Sequence, residues 1–503
     1  MKRPLLKNIL AVGLTVLLLF GVLSDSRQVT QAAAVGLPGT DMACYRTLNT
    51  INSRLTELVN DYPELAELVD IGDSWEMTDG DDTTPGSDLW VLHLTNRAIT
   101  GAKPIMFVVS GADSRDIMGV ELNLRFAERL LAGYGVDPDI TMVLGVSEVH
   151  LLVTANPDGR QELEWQLALD PVLTFQNAWG HNRNINVCPG GVDLTRNFTL
   201  DYQSGTFCGV DYTGTGAESE PETQAIAGHM RAIYADLRAA PDLPVDESAP
   251  GLVINLTEWD DAPRILYPYY YDGTADADDT EKWIYLLAAK LANVPGSSDF
   301  FWHQLGFDND SSQRGSLIDT AYGELGVPAL AFRLERSIYP TKFPTCSEFE
   351  GVDNIWMEAL LMASRAVPRP FEFGQGPEFV PGLYVKSLDI PFRQMWEVRG
   401  TASSLYYQNV PVEKLPSNPI GFSATKITPP WHSDAVDTGS LFLEFPPDPH
   451  TAGFMALVPF EAPAGVDRQS VYFQASNLDE KLGIPRAVFV TRQYYLTLPL
   501  IRR

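Results

Sequence analysis

The stretch GADSRDIMGVELNLRFAERLL, residues 111–131, completes and extends the apolar run KPIMFVVSGA, residues 103–112. This run is rich in apolar and β-branched side chains, which is typical of a strand buried on both faces. Apolar residues then recur at helical spacing, so a helix follows the strand. In sheets covered by helices, ligands bind beyond the carboxyl ends of the strands. Asp113 and Asp116, with Arg115 between them, therefore occupy a predicted functional position.

The same alternation of strand and helix continues on both sides of this junction. Apolar strands are predicted at 87–96, 103–112, 147–156, 251–259 and 328–336. Amphipathic helices are predicted at 43–62, 115–133, 219–239, 279–293 and 352–366. Residues 35–368 are therefore expected to form an α/β domain with a mixed, mostly parallel central sheet and helices on both faces.

A second region begins after RPFEFGQGPEFVPG, residues 369–382, which is rich in Pro and Gly and is predicted to be a linker. Beyond it the helical period fades, and short strand patterns alternate with turn residues. Residues 383–503 are therefore predicted to form a small C-terminal all-β domain of the sandwich type.

Residues 1–34 have the pattern of a secretory signal peptide. Lys2, Arg3 and Lys7 precede an apolar run at 9–23, and small alanines at 32–34 fit a cleavage site. The run is shorter than the roughly 20 apolar residues that span a bilayer, which favours a cleaved signal peptide. The alternative is that the segment is not cleaved and anchors the protein in the membrane. The pattern predicts a secreted or extracellular protein, either free or associated with the cell surface, with no stable membrane span after cleavage.

Composition narrows the partners and the compartment. There are 65 acidic and 36 basic residues, a net charge of -29 that repels phosphate backbones and argues against a nucleic-acid partner. Four cysteines in an exported chain predict two disulfides. Cys188 and Cys208 are close in sequence and suit a local bridge, which leaves Cys44 to pair with Cys346.

Several motifs occur in a fixed order, and together they resemble the zinc carboxypeptidase family of the carboxypeptidase A type, particularly its secreted bacterial members. The resemblance covers residues 42–366, and its clearest segments are ANPDGR (155–160), GVDLTRNF (191–198), SEPETQAI (219–226) and GSLIDTAYGELGVPALAF (315–332). It implies a carboxypeptidase-like fold. It also implies an activity that removes C-terminal residues from peptides with the help of one zinc ion.

The resemblance also assigns the site positions, and most of them hold unexpected residues. The three zinc-ligand positions carry Asp113, Asp116 and Thr257, with Glu258 following as a possible further ligand. The position of the general base carries Arg333, and the position of the arginine that stabilises the oxyanion carries Gly180. The positions that bind the substrate and its terminal carboxylate retain arginines, namely Arg115, Arg196 and Arg183.

These replacements conflict with zinc hydrolysis. Such chemistry needs a Lewis acid, a metal-bound water and a base. Zinc of this type is held by imidazoles with one carboxylate, and Arg333 cannot take up a proton. Three interpretations of Asp113 and Asp116 remain: a salt-bridge cluster with Arg333 or Arg115, a calcium or magnesium site with Glu258, or residual zinc binding. The first is favoured, so no cofactor is expected.

The histidines show no relocated metal motif, because none of the seven has Glu, Asp or His three or four residues later. The sequence therefore predicts a catalytically inactive pseudoenzyme that binds peptides or protein C-termini. The alternative is an active metallocarboxypeptidase with altered metal ligation, and a purely structural role is the third hypothesis.

Overall fold

The computed structural model describes most of the chain from residue 36 onward. The described residues are 36–38, 41–79, 85–238, 245–259, 263–268, 279–294, 301–304, 314–335, 343–390, 393–403, 423–427, 442–444, 451–460, 465–476 and 481–492. The predicted signal peptide, residues 1–34, lies outside these ranges. Within them, no helix has both the length and the apolar character needed to cross a bilayer.

The central sheet contains eight strands in the described residues. They are β1 (Ala66–Asp73), β2 (Asp88–Leu94), β3 (Ile105–Ser110), β4 (Glu148–Leu152), β5 (Leu252–Trp259), β6 (Arg264–Tyr267), β7 (Phe301–Gln304) and β8 (Ala329–Glu335). Their order is β1-β2-β4-β3-β5-β8-β6-β7. The central strands β4, β3, β5 and β8 are parallel, and β2 and β6 flank them in antiparallel pairing. This confirms the predicted mixed, mostly parallel sheet.

The helices join these strands and share one large apolar core with them. They are α1 (Leu48–Asp61), α2 (Trp75–Asp79), α3 (Ile117–Gly133), α4 (Pro138–Val146), α5 (Pro157–Leu169), α6 (Pro221–Ile233), α7 (Asp279–Ala292), α8 (Leu317–Leu325), α9 (Cys346–Ala366) and α10 (Pro370–Phe373). Helix α3 is buried along most of its length, as its position after the central strand β3 requires.

The five predicted strands are present, and the helices differ mainly at their ends. Helix α9 begins six residues before the predicted start at 352, because Thr345 and Glu348 form a reciprocal capping box there. Helix α5 is an addition. The side chain of Asn156 accepts a hydrogen bond from the Gly159 N–H, and Pro157 occupies the first turn, so the ANPDG segment starts a helix.

The C-terminal region is all-β in its described residues, as predicted. Its strands are β9 (Glu378–Ile390), β10 (Arg393–Ser403), β11 (Ser423–Ile427), β12 (Phe442–Glu444), β13 (Thr451–Pro459), β14 (Arg468–Ser476) and β15 (Arg486–Thr491). One antiparallel sheet has the order β12-β13-β10-β9 and the other β11-β14-β15. Apolar side chains from both sheets, such as Val398 and Phe473, share a second core, which gives the region a sandwich-like layering.

The segment predicted as a linker, residues 369–382, is packed structure where it is described. Helix α10 lies within it, and its Phe371 and Phe373 belong to the large core. The buried Lys290 binds the carbonyl oxygens of Phe373 and Gly376 at 2.8 and 2.7 Å, and the Glu378 carboxylate at 2.7 Å. Apolar and charged contacts therefore override the Pro and Gly content that suggested a free linker.

Both disulfides have the suggested pairing. Cys44 is joined to Cys346, and Cys188 to Cys208. The first bridge ties the segment before α1 to the start of α9, across a sequence separation of 302 residues. The second closes a loop of 20 residues that contains the GVDLTRNF motif.

Candidate peptide-binding site at the carboxyl end of the sheet

The strand register brings the predicted site positions to one edge of the sheet. Ser110, the last residue of β3, pairs with Leu256 of β5, and Asp113 and Thr257 lie just beyond that pair. Thr257 in turn pairs with Arg333 of β8. Three neighbouring parallel strands therefore end where the sequence placed the site, and their carboxyl ends meet there.

Asp113 is held by Arg115 in a two-pronged ion pair. Arg115 Nε lies 2.9 Å from Asp113 Oδ1, and Arg115 Nη2 lies 2.6 Å from Oδ2. The Arg115 backbone N–H donates a further hydrogen bond to Oδ1, at 2.9 Å. Burial by itself would raise the pKa of the Asp113 carboxyl, but Arg115 outweighs burial and lowers that pKa below its ordinary value. The structure therefore gives Asp113 a cation from its own loop.

Gly180 provides the space that Arg115 occupies. A Cβ atom at position 180 would lie 2.5 to 2.8 Å from three atoms of the Arg115 guanidinium group, so any side chain there would displace that group. The ring of Phe175 lies against the same guanidinium group, with 4.6 Å between Cζ and the ring centroid. The glycine at the expected oxyanion position and the Asp113–Arg115 pair are therefore parts of one arrangement.

Asp116 and Glu258 meet at the start of α3. Asp116 is the residue before the first helical turn, is buried, and makes no capping hydrogen bond with its side chain. Glu258, from β5, accepts a hydrogen bond from the Met118 N–H instead. This carboxylate therefore satisfies one of the free N–H groups at the helix start, a task that a capping side chain ordinarily performs.

Arg196 differs from these groups because it is buried and its guanidinium group has a donor without a hydrogen-bond partner among the described residues. It ends a single 3-10 turn, Leu194–Arg196, and is 7% exposed. Its Nε has no hydrogen-bond partner among the described residues. Buried guanidinium groups are ordinarily paired, because leaving one unpaired costs free energy. Arg196 therefore has donor capacity available for an anion.

A dense set of hydrogen bonds fixes the backbone around Arg196. The Asp193 carboxylate caps the turn by accepting from the Thr195 N–H at 3.0 Å. Asn197 donates to the carbonyl oxygens of Thr213 and Gly216, at 2.7 and 2.9 Å. Gly315, at φ +68°, approaches the Arg196 carbonyl so closely that a Cβ there would be 2.5 Å from the oxygen. The guanidinium group is therefore mounted on a rigid loop.

Comparison with known proteins agrees with this architecture. The zinc carboxypeptidase family profile matches residues 51–354, more than half of the chain. The chain belongs to the zinc carboxypeptidase family. It is similar to carboxypeptidase A1 of Sus scrofa, with 23% identity over 70% of this chain and 78% of that protein. A zinc carboxypeptidase of Saccharothrix mutabilis subsp. capreolus is 29% identical over 33% of this chain and 34% of that protein.

The fold is also shared with a solved structure. The crystal structure of thrombin activatable fibrinolysis inhibitor aligns with a TM-score of 0.51 and 20% identity. It covers 64% of this chain and 74% of that chain. At that identity, the likeness concerns the fold, so the chemistry of the site depends on the residues present in this chain.

The donors at the positions predicted for the zinc ligands do not fit zinc. Asp113, Asp116 and Thr257 provide two carboxylates and a hydroxyl, whereas a hydrolytic zinc is held by imidazoles with one carboxylate. Asp113 is bound by Arg115, and Glu258 accepts from the backbone of α3. Calcium or magnesium at these oxygens stays an alternative to the favoured salt-bridge interpretation.

The structure describes the positions of the remaining predicted site residues, Arg333 and Arg183. Arg333 is buried on β8, between Thr257 of β5 and Arg264 of β6 in the strand register. The Arg183 guanidinium group contacts Glu76 at 3.3 Å and Glu162 at 3.1 Å, and its Cζ lies 4.7 Å from the centroid of the Trp179 ring. These contacts engage Arg183 with two carboxylates and an aromatic ring.

Two buried carboxyl groups, those of Glu222 and Asp158, lie in the same region. Glu222, in the first turn of α6, accepts from the Trp75 N–H at 2.8 Å and from Asn182 Nδ2 at 3.2 Å. Burial raises the pKa of Glu222 to about 8. Burial also raises the pKa of Asp158, which accepts from the hydroxyl of Ser74 at 2.7 Å. Burial therefore shifts both carboxyl groups toward their neutral forms, most strongly that of Glu222.

The opposite end of the sheet contains a group of histidines that the sequence reasoning missed. His93 on β2 pairs with His150 on β4, and Glu148 begins the same strand. His229 on α6 lies beside them, with its Nε2 3.1 Å from His150 Nδ1. Burial, and then the nearby His150 and His93, lower the pKa of His229 to about 4. The signal was present in the alternation of Glu148 and His150, which places both side chains on one face of a strand.

Proposed function

We propose that this member of the zinc carboxypeptidase family binds peptide or protein C-termini and does not hydrolyse them. The observation that carries the proposal is the contrast between Arg196, which is buried with a free donor, and Asp113, which is held by Arg115. The first arrangement suits capture of an anion. The second occupies a carboxylate that a catalytic metal would need.

The binding step uses the guanidinium group of Arg196. A planar guanidinium group binds a carboxylate through two parallel hydrogen bonds, which selects for the free end of a peptide over an internal residue. In the family, the positions of Arg196 and Arg115 bind the substrate and its terminal carboxylate. Because Arg115 already neutralises Asp113, Arg196 is the principal carboxylate-binding residue in this proposal.

The absence of turnover follows from the chemistry of the donors and of Arg333. The residues at the metal positions do not suit zinc, and an arginine cannot accept the proton of an attacking water. A bound peptide would therefore leave intact. Family membership favours the alternative, an active metallocarboxypeptidase with altered ligation, which requires release of C-terminal residues that a chelator abolishes.

Secretion is part of the proposal. The signal-peptide pattern of residues 1–34 and the two disulfides support an oxidising, extracytoplasmic compartment. Peptides and exposed protein C-termini of the extracellular space or the cell surface are the partners that fit such a location.

The binding test compares two versions of one labelled peptide, one with a free C-terminal carboxylate and one with a C-terminal amide. Fluorescence anisotropy should show binding of the free acid and at least about 30-fold weaker binding of the amide, the loss expected when a buried charge pair loses one partner. Arg196→Ala should reduce affinity for the free acid by a similar factor. Arg231→Ala is the matched control, because Arg231, on α6, is paired with Glu218 before that helix and with Glu324 on α8.

Equal affinity for the two peptides, or unchanged affinity in Arg196→Ala, would contradict the proposed carboxylate site. Arg196→Lys sharpens the test. It keeps the charge but loses the two-pronged geometry, so its affinity should fall between those of the wild type and Arg196→Ala.

A further inference from the structure

The histidine group at the amino end of the parallel strands contains the kinds of side chain that bind a metal ion. Among the described residues, His93, Glu148 and His150 place their ligand atoms within 4.8 Å of one another. They lie on β2 and at the start of β4, whereas Asp113 lies beyond the carboxyl end of β3, which is parallel to β4. The group is therefore distinct from the family's zinc position.

The two imidazoles turn the same nitrogen toward the same oxygen. Glu148 Oε2 lies 3.1 Å from His93 Nε2 and 3.6 Å from His150 Nε2. Both Nε2 atoms are buried, and neither makes a well-aligned hydrogen bond with the described residues. Ligand atoms of a tetrahedral zinc, each about 2.0–2.1 Å from the metal, stand roughly 3.3 Å apart. The observed spacing is close to that value.

The Nδ1 atoms of the two imidazoles are close to residues outside the group. His93 Nδ1 lies 2.8 Å from the Glu67 carboxylate, which accepts a hydrogen bond from it. His150 Nδ1 lies 3.1 Å from His229 Nε2 and can donate to it. A histidine that donates from Nδ1 presents the lone pair of Nε2, and this outer arrangement orients metal-binding histidines in many proteins. With the rings in this tautomer, two lone pairs and a carboxylate oxygen face one another, an arrangement that a bound cation stabilises.

We infer that His93, His150 and Glu148 form a metal site away from the predicted zinc position, and that it binds a zinc-class divalent cation. Two imidazoles and one carboxylate are borderline ligands suited to zinc and poorly suited to calcium or magnesium, which prefer oxygen ligands alone. Glu67 and His229 are the outer residues that orient the two imidazoles. The Glu148 side chain is 26% exposed, so the site has access to solvent for entry of the metal.

The test offers zinc alone to the full chain after removal of metal with a chelator. After desalting, elemental mass spectrometry should find one zinc per chain, and zinc should raise the melting temperature. His93→Gln and Glu148→Gln should each weaken zinc binding by at least tenfold in competition with a chromogenic chelator. Glu67→Gln, which removes only the outer partner of His93, should weaken it by about tenfold.

The controls lie at the opposite end of the sheet. Asp113→Asn and His181→Gln should retain one zinc per chain, because neither residue belongs to the group. Glu148 and His93 are partly exposed, so their variants are expected to fold, and circular dichroism verifies this. The inference is overturned if the wild type retains no zinc. It is also overturned if zinc is lost in Asp113→Asn or His181→Gln and kept in the His93 and Glu148 variants.

Discussion

The two ends of one sheet carry opposite sets of side chains. At the carboxyl end, where the zinc position is predicted, a guanidinium group and a carboxylate neutralise each other, and Arg196 keeps a donor without a partner among the described residues. At the amino end, two imidazoles lie beside the Glu148 carboxylate. The comparison teaches that membership of a metalloenzyme family fixes the backbone, whereas the side chains decide what each end can bind.

Helix α6 connects the two ends and shows that burial acts on them in the same way. Its first turn contributes Glu222 beneath the carboxyl end, and His229 contributes to the amino end. Burial raises the pKa of Glu222 and lowers that of His229, so it favours the neutral form of both. The Asp113 carboxylate, in contrast, is paired with the Arg115 guanidinium group, which favours its charged form.

The largest expected effect concerns the loop that carries Arg196. Replacing Cys188 and Cys208 together by Ser opens the loop of 20 residues and should lower the free energy of unfolding by about 3 kcal/mol. Urea denaturation measures the change. Because the loop also positions Arg196, peptide affinity should fall while zinc binding at the amino end stays unchanged. Loss of zinc binding together with peptide binding would show that the two ends are not independent.

Arg115→Met should destabilise the carboxyl end by about 2 kcal/mol, because it leaves the Asp113 carboxylate without its cation in a partly buried place. Arg115→Lys is the control that retains charge. The lowered pKa of Asp113 means that the ion pair stabilises the fold above about pH 4 and ceases to do so as the pH falls through the folded pKa. The difference between wild type and Arg115→Met in urea should therefore shrink as the pH falls below the ordinary Asp pKa of about 3.9. A difference that is constant with pH would contradict this account of Asp113.

Glu222 predicts the opposite pH dependence. Its folded pKa, raised to about 8, exceeds the unfolded value of about 4.3, so its stabilising contribution is complete below pH 4.3 and is lost as the pH rises through 8. Glu222→Gln should remove this loss. Melting temperatures at pH 5 and pH 8 should differ less in the variant than in the wild type. Equal pH dependence in the two proteins would mean that Glu222 is not a buried neutral carboxyl group.

Gly180→Ala should have the smallest effect, about 1 kcal/mol, because the added Cβ displaces the Arg115 guanidinium group from Asp113. Gly190→Ala is the matched control, since nothing lies within 4 Å of its added Cβ. Thermal melts of both variants measure the difference. Equal melting temperatures would show that Arg115 adapts without cost.

The sequence predicted the fold because the fold depends on local patterns, and the place of the site stays a prediction that rests on the same patterns. Apolar runs marked the strands, and the junction after β3 marked their carboxyl end. It left Arg115 and Arg333 open as the cation for Asp113, and only the packed structure, with Gly180 against the guanidinium group, shows Arg115 there. The histidine group was missed because the search used helical spacing, whereas strand alternation and pairing with β2 bring these residues together.

The central claim is that the chain binds C-termini without cleaving them, and the mass of a bound peptide tests it most directly. Zinc-loaded protein would be incubated with a peptide that has a free C-terminus. The peptide would then be recovered, and its mass would be measured by mass spectrometry. The account predicts retention by the wild type, reduced retention by Arg196→Ala, and a recovered peptide of unchanged mass. Loss of C-terminal residues that a chelator prevents, and that Arg196→Ala reduces, would contradict the account and show an active carboxypeptidase.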